Sequence, residues 1–399
     1  MIGFEIEICL PVADGEGAPI AGEALLATSR IVRRSGQGEI PIFTVVSDRR
    51  SLPDGRVHSS LEFVTTAWSC VGDARRNGAV SLESTLQEIR QVRELLYRAG
   101  AVELSTAAAD RLKYTRVGGT LRITPGNGYR EEAGTEGNGD GLSAHYSVGV
   151  PLGGLPYVLD RLREAAPVDE GAARPAARYR LVQAKDFAAE VLRDFPPQQG
   201  GVGGARARRE LDGYLQLAFT QVVAFADHVA AEVDGATEGH EGDEGHEGYE
   251  RDEGRIKDGT VVLSRARLGE VFAELPSEAR DFLRQRADAV IATLAGFQEH
   301  AYGDRKSGFQ DGATREAVPG GPVTLLEYAR AAFDGHTSIS QQRVFGGMRE
   351  IGPHPEGEAV VVPFEIRTLG SARKSWRQVS DDLAELVLWA QAGHEPGRA

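Results

Sequence analysis

The chain has 399 residues, 41% of them hydrophobic and 26% charged, with a formal net charge of −14 and two cysteines. That length and apolar content allow one large domain or two modest ones with a real core, and the acidic balance argues against non-specific nucleic-acid binding. Cys9 and Cys70 exclude a disulfide framework and a cysteine zinc cluster, and no apolar run approaches the roughly 20 residues that a membrane helix needs.

The chain opens on Gly3-Phe4-Glu5-Ile6-Glu7-Ile8-Cys9-Leu10, in which apolar side chains alternate with carboxylates. Successive strand residues point to opposite faces, so Phe4, Ile6 and Ile8 share one face while Glu5 and Glu7 share the other. Two acids side by side repel, and a hard divalent cation would offset that repulsion. A solvated surface strand is the other reading. Two acids in a strand here, in place of a basic and then apolar secretion signal, give the expectation of a soluble, cytoplasmic protein with no membrane partner.

Pro11 to Gly22 reads as a loop. Ile40 to Ser47 is apolar and β-branched, the stretch from Asp48 to Gly55 has turn chemistry, and Val57 to Thr65 is again strand-forming, which predicts an antiparallel hairpin or meander. Glu62 sits between Leu61 and Phe63 in that second arm, where an acid needs a partner, an ion or a solvent-facing position.

Leu86, Ile89, Val92, Leu95 and Leu96 recur at helical spacing, predicting an amphipathic helix from Leu82 to Ala99 that Gly100 closes. Arg111 to Thr124 is a candidate strand. Gly126 to Gly141 is a polar, glycine-rich loop without the Lys-Ser/Thr of a phosphate loop, either a surface loop or an active-site lid. Ala144 to Pro151 is another alternating strand, with His145 and Ser147 on one face. An imidazole there can ligate a metal, bond a phosphate oxygen when protonated, or simply be hydrogen-bonded.

The middle third reads as helices over Leu155–Ala165, Ala184–Phe195, Arg208–Val233 and Leu268–Phe297, within a mainly helical insertion spanning 155–340. Inside it, Glu232 to Asp258 holds eleven acids against Arg251, Arg255 and Lys257, so this segment carries −8 of the chain's −14. Its repeats, Gly239-His-Glu-Gly-Asp-Glu-Gly and Gly245-His-Glu-Gly-Tyr-Glu, lack the apolar content to fold alone, and 234–258 is expected to be a disordered acidic loop. Glu358 to Leu369 is strongly β-forming, with Glu365 and Arg367 on one face. A closing helix then runs to about Trp389, with Ser380 as its expected N-cap.

The order Gly-Phe-Glu5-Ile-Glu7, Val-Val-Ser-Asp48, Leu-Glu62-Phe-Val-Thr, the His145 strand and Phe-Glu365-Ile-Arg367 resembles the amidoligase family, relatives of glutamine synthetase and glutamate–cysteine ligase. The resemblance spans nearly the whole chain as a single domain, 1–399. It implies an α+β fold with a glutamine synthetase-like antiparallel sheet, helices packed on one face and a helical insertion. It also implies ATP-dependent carboxylate–amine ligation through an acyl phosphate, with ATP and Mg²⁺ as cofactors. Carried over by motif, Glu5, Glu7, Glu62 and His145 are the metal shell, Arg367 with His145 and Ser147 binds nucleotide, and Glu365 and Arg367 are catalytic. The implied partners are a small-molecule or peptide carboxylate and an amine. The family strand commonly carries His-x-His where this chain has His145-Tyr146-Ser147, so a shorter hydroxyl replaces one polar ligand. The alternatives are an inactive amidoligase-like binding or effector protein, and a metal-dependent hydrolase or toxin domain.

Overall fold

A computed structural model describes residues 1–22, 24–35, 38–51, 57–70, 74–99, 102–103, 108–115, 122–123, 142–165, 177–196, 202–237, 262–302, 323–335, 339–341, 344, 350–356, 359–367, 369 and 374–394. The fold is α+β with a large antiparallel sheet. The chain divides into two compact units, one of Met1–Ser147 with Ser371–Leu388 and the other of Val148–Gly370 with Trp389–Ala399. The glycine-rich stretch 126–141 and the acidic repeats from 238 onward lie outside the described residues.

In the first unit, β1 (Ile2–Ala13) pairs antiparallel with β6 (Val57–Thr65), and β6 pairs antiparallel with β5 (Phe43–Ser51). Beyond β5 come β2 (Leu25–Ser29) and β8 (Leu112–Tyr114). A separate hairpin joins β3 (Val32–Ser35) to β4 (Gly38–Pro41), and the two-residue strands β7 (Val102–Glu103) and β9 (Arg122–Ile123) pair with each other, β9 also with the end of β1. Among the described residues, the candidate strand over Arg111 to Thr124 contributes β8 and β9.

Alternation sorts this sheet's two faces. Phe4, Ile6, Ile8, Phe43, Val45, Leu61 and Phe63 are all buried. Their opposite-pointing neighbours Glu5, Glu7, Glu62, Val46 and Val64 are only partly so, which is the signature of a face held back from the core. The hairpin's expected turn from Asp48 comes later than expected. Asp48 to Ser51 stays in β5, opposite Ser60 to Val57, because continued ladder bonding outweighs local turn preference.

Helix α1 (Arg75–Ala99) buries Leu82, Leu86, Ile89, Val92 and Leu96, the stripe read from spacing. Gly78 is required in it, since a Cβ there would stand 1.9 Å from the Ser69 carbonyl oxygen. The closing helix α8 (Trp376–His394) starts earlier than expected. Its cap is Ser375, whose Oγ accepts from the Gln378 N–H while the Gln378 side chain accepts from the Ser375 N–H. Ser380 lies within the helix and donates to Glu83 Oε2 at 2.8 Å.

The second unit is mainly helical. After a 3₁₀ turn at Leu152–Gly154 come α2 (Leu155–Ala165), α3 (Ala177–Leu192) and α4 (Val202–Thr237). Next are α5 (Leu268–Ala273), α6 (Ser277–Tyr302) and α7 (Leu325–Asp334). The single helix expected over Leu268–Phe297 is two, separated at Leu275-Pro276, because proline lacks the N–H that a continuous helix needs and suits a helix start.

Helix α4 is buried on every side through its middle, at Leu211, Tyr214, Leu215, Ala218, Phe219, Val222 and Phe225. Phe187 of α3 packs on Phe219 and Phe333 with ring centroids 5.1 and 6.1 Å away. Strand β13 (Ala359–Ile366) pairs antiparallel with β11 (Val262–Ser264) and β12 (His354–Glu356).

Candidate metal and phosphoryl site

The first unit gathers the acids that the sequence singles out. Glu7 is the antiparallel partner of Glu62, so the two carboxylates leave the same face of the sheet from directly opposite positions. Glu5 lies two residues along β1 on that face, opposite Val64. Like charges placed directly opposite destabilise a strand pair. This arrangement therefore favours a bound cation.

Strand β10 (Ser143–Pro151) supplies the imidazole. His145 Nδ1 stands 3.9 Å from Glu7 Oε1, and a ring nitrogen of His145 lies within 4.8 Å of a Glu5 carboxylate oxygen. Glu7 and His145 are about equally sheltered, with side chains 15% and 14% exposed. Two neighbouring ligands of one octahedral ion stand about 3 Å apart, given ligand bonds of about 2.1 Å. The observed spacings are wider than that by a distance that side-chain rotation closes. Carboxylate oxygens suit a hard divalent cation and neutral imidazole is a tolerated addition, so the donor set fits Mg²⁺ or Mn²⁺. Ser147 is half-buried two residues beyond His145, on the same face.

The opposite face of β10 explains why this strand is held firmly. Tyr146 is fully buried, and its hydroxyl donates to Asp382 Oδ2 at 2.6 Å. Lys374 Nζ stands 2.7 Å from the same oxygen, and the Leu142 and Lys374 backbones bond to each other in both directions. Burial, and then the Asp382 carboxylate, push the Tyr146 phenol well above its ordinary pKa. It therefore remains a neutral donor. These contacts tie the start of β10 to the closing segment and so fix the strand that presents His145.

The second unit holds a cluster that sequence reading found only in part. Glu365 and Arg367 share a face as expected, and Arg367 Nε lies 2.9 Å from Glu365 Oε1. Arg265, just past β11, places Nη2 2.8 Å from the other oxygen, Glu365 Oε2. Because Leu263 is opposite Glu365 in the register, Arg265 projects from the same face as Glu365 on the neighbouring strand. All three side chains are deeply buried, Glu365 at 2% exposure, Arg265 at 6% and Arg367 at 11%. The missed signal was the run Val262-Leu263-Ser264, a short strand ahead of the helix that begins at Leu268.

No protein-family model matches this chain, and no curated protein matches it. Among solved structures, a VgrG toxin ACD domain of Vibrio cholerae, a glutamate-to-glutamine mutant in complex with ADP and Mn++, shares 15% identity with it. The match covers 93% of this chain and 94% of that one, with a TM-score of 0.47. A likeness at this level establishes neither a family nor a chemistry. Among the described residues, no helix is long and apolar enough to cross a membrane.

Proposed function

We propose that the protein is an ATP- and Mg²⁺-dependent carboxylate–amine ligase of the amidoligase type, a single functional domain whose mainly helical segment spans 155–340. The observation that carries the reading is the paired register of Glu7 and Glu62, with Glu5 and His145 beside them on the same sheltered sheet face. Glu5, Glu7, Glu62 and His145 would hold the cation, and His145 and Ser147 would sit beside the nucleotide. A divalent ion bound there neutralises phosphate charge on the nucleotide.

Glu365 and Arg367 enter through the sequence resemblance, as the acid and the guanidinium that serve the transferring phosphoryl group. The observed ion pair suits that role, because a guanidinium kept beside a buried carboxylate is placed before the charge it must meet develops. In the reaction, a substrate carboxylate oxygen attacks the γ-phosphorus of ATP and ADP leaves, giving an acyl phosphate. The amine nitrogen then attacks the acyl carbon, losing a proton as inorganic phosphate departs, so that an amide forms. The acceptors that fit are a small-molecule or peptide carboxylate and an amine.

The test is ATP affinity and turnover against Mg²⁺ concentration for the wild type, Glu7→Ala and Arg367→Ala. Glu7→Ala removes one of few protein oxygens from a hard cation, so it should weaken Mg-ATP binding, and excess Mg²⁺ should partly restore it. Arg367→Ala should lower turnover more than affinity, with no rescue by Mg²⁺. Equal activity in all three proteins would remove the proposed site. Metal binding without nucleotide binding would point instead to a metal-dependent hydrolase.

A further inference from the structure

A buried carboxylate needs one guanidinium to be neutralised, yet Glu365 has a different arginine on each oxygen. The three side chains are graded in depth, with Arg265 more sheltered than Arg367. Arg265 also sits on an immobilised segment. Its N–H donates to the Pro363 carbonyl at 3.0 Å, and its own carbonyl accepts from Ile351 N. Its neighbours are locked in turn. Ser264 Oγ and the Gln341 amide both donate to the Ala266 carbonyl, and Arg267 donates to Glu350, whose other oxygen accepts from Ser340 and from the Gln341 N–H.

Arg367 follows the last described pair of the β11–β13 register, Val262 opposite Ile366. Its ion pair with Glu365 places Nε 2.9 Å from Oε1, and a guanidinium also carries two Nη groups. Paired donors of that kind match two phosphoryl oxygens.

We propose that Arg265 is a positioning residue. Through the Glu365 carboxylate it fixes the orientation of the Arg367 guanidinium, so that Arg367 presents its two Nη groups to a phosphoryl group. The inference rests on the ligase reading for the identity of that anion. It also gives Glu365 a definite task, as the strut between two arginines. Arg265 pulls one oxygen into the rigid β11 turn, the carboxylate plane is thereby set, and the second oxygen sets Arg367.

The experiment is calorimetric titration of the full chain with inorganic pyrophosphate, without divalent metal, for the wild type, Arg265→Met, Arg265→Lys, Arg367→Met, Glu365→Gln and the double variant Arg265→Met/Arg367→Met. Thermal midpoints report folding in parallel. Arg265→Met should weaken pyrophosphate binding about tenfold, the scale of one misplaced charge-assisted contact, and Arg265→Lys should recover most of it. If Arg265 acts through Arg367, the double variant should bind no more weakly than Arg367→Met alone, to within about threefold.

A purely structural Arg265 would lower the midpoint and leave affinity unchanged, which would overturn the proposal. Additive losses would also overturn it, since they would make Arg265 an independent contact. A wild type that does not bind pyrophosphate overturns it outright. Should Arg265→Met fail to fold, Glu365→Gln decides, because it keeps the shape of the strut, removes its charge and should show the same tenfold loss. Wild-type affinity in that variant refutes the strut. The expected pyrophosphate pattern without Mg²⁺-dependent ATP binding would overturn the ligase reading alone.

Discussion

Glu62→Gln should stabilise the protein without metal and reduce what metal adds. Glu62 faces Glu7 directly across the β1–β6 pair, where Cβ atoms are about 4.5–5.5 Å apart and a charged pair is worth up to about 1 kcal/mol. Neutralising Glu62 relieves that repulsion and keeps the side chain's shape. For a unit of this size the gain corresponds to a rise in thermal midpoint of about 2–4 °C.

With a divalent ion at 100 times its dissociation constant, binding stabilises the native wild type by about 2.7 kcal/mol. If losing one carboxylate weakens the ion about tenfold, the variant gains only about 1.4 kcal/mol from the same concentration. The metal response should therefore roughly halve while the metal-free midpoint rises. Differential scanning fluorimetry in chelator and across a Mn²⁺ or Mg²⁺ series measures both. A variant that is less stable in chelator and responds to metal as the wild type does would refute the reasoning.

Tyr146→Phe should cost about 1.5–3 kcal/mol in urea denaturation, because the lost hydroxyl leaves a charged Asp382 oxygen with one fewer donor. Gly213→Ala should cost about 1–3 kcal/mol by overpacking, since its Cβ would lie 2.0 Å from the Leu152 carbonyl oxygen; a neutral result would show that the 3₁₀ turn yields easily. Burial holds the His394 imidazole below its ordinary pKa of 6.5, against the opposing pull of Glu356. The unfolded chain therefore takes up this proton first as pH falls, and stability should decline from about pH 6.5 down to the folded pKa and then level off. His394→Gln should flatten that stretch of a midpoint-against-pH curve, and an unchanged slope would show that other groups set it.

Much of the first unit was legible because its signal is local. Alternation in Phe4-Glu5-Ile6-Glu7-Ile8 sets the faces of β1 whatever the rest of the chain does, and the helical stripe from Leu82 to Leu96 depends only on a 3.6-residue period. Boundaries were legible less often, because they depend on partners. Asp48 to Ser51 has turn composition, yet it pairs with the start of β6. Ser380 had cap chemistry, but Ser375 with Gln378 completes a reciprocal cap that Ser380 does not. Pro276 alone is enough to divide α5 from α6 within an otherwise continuous helical pattern.

The site shows the same division between what is local and what is not. Glu5, Glu7, Glu365 and Arg367 could be found because each pair is two residues apart in one strand, where period two puts both side chains on one face. Cross-strand facts carry no such signature. That Glu7 opposes Glu62 rather than a neighbour is set by register, and a slip of one residue would send Glu62 to the apolar face. Arg265 is the extreme case, one hundred residues from Glu365 and just past a strand of three residues. Nothing in its own neighbourhood distinguishes it from the solvated arginines around it. Its significance comes from the β11–β13 register, which places it one step diagonally from a buried carboxylate that already has an arginine on its other oxygen. The residues that chemistry requires in pairs were therefore visible wherever the pair lay within one strand, and hidden wherever the sheet had to form before the pair existed.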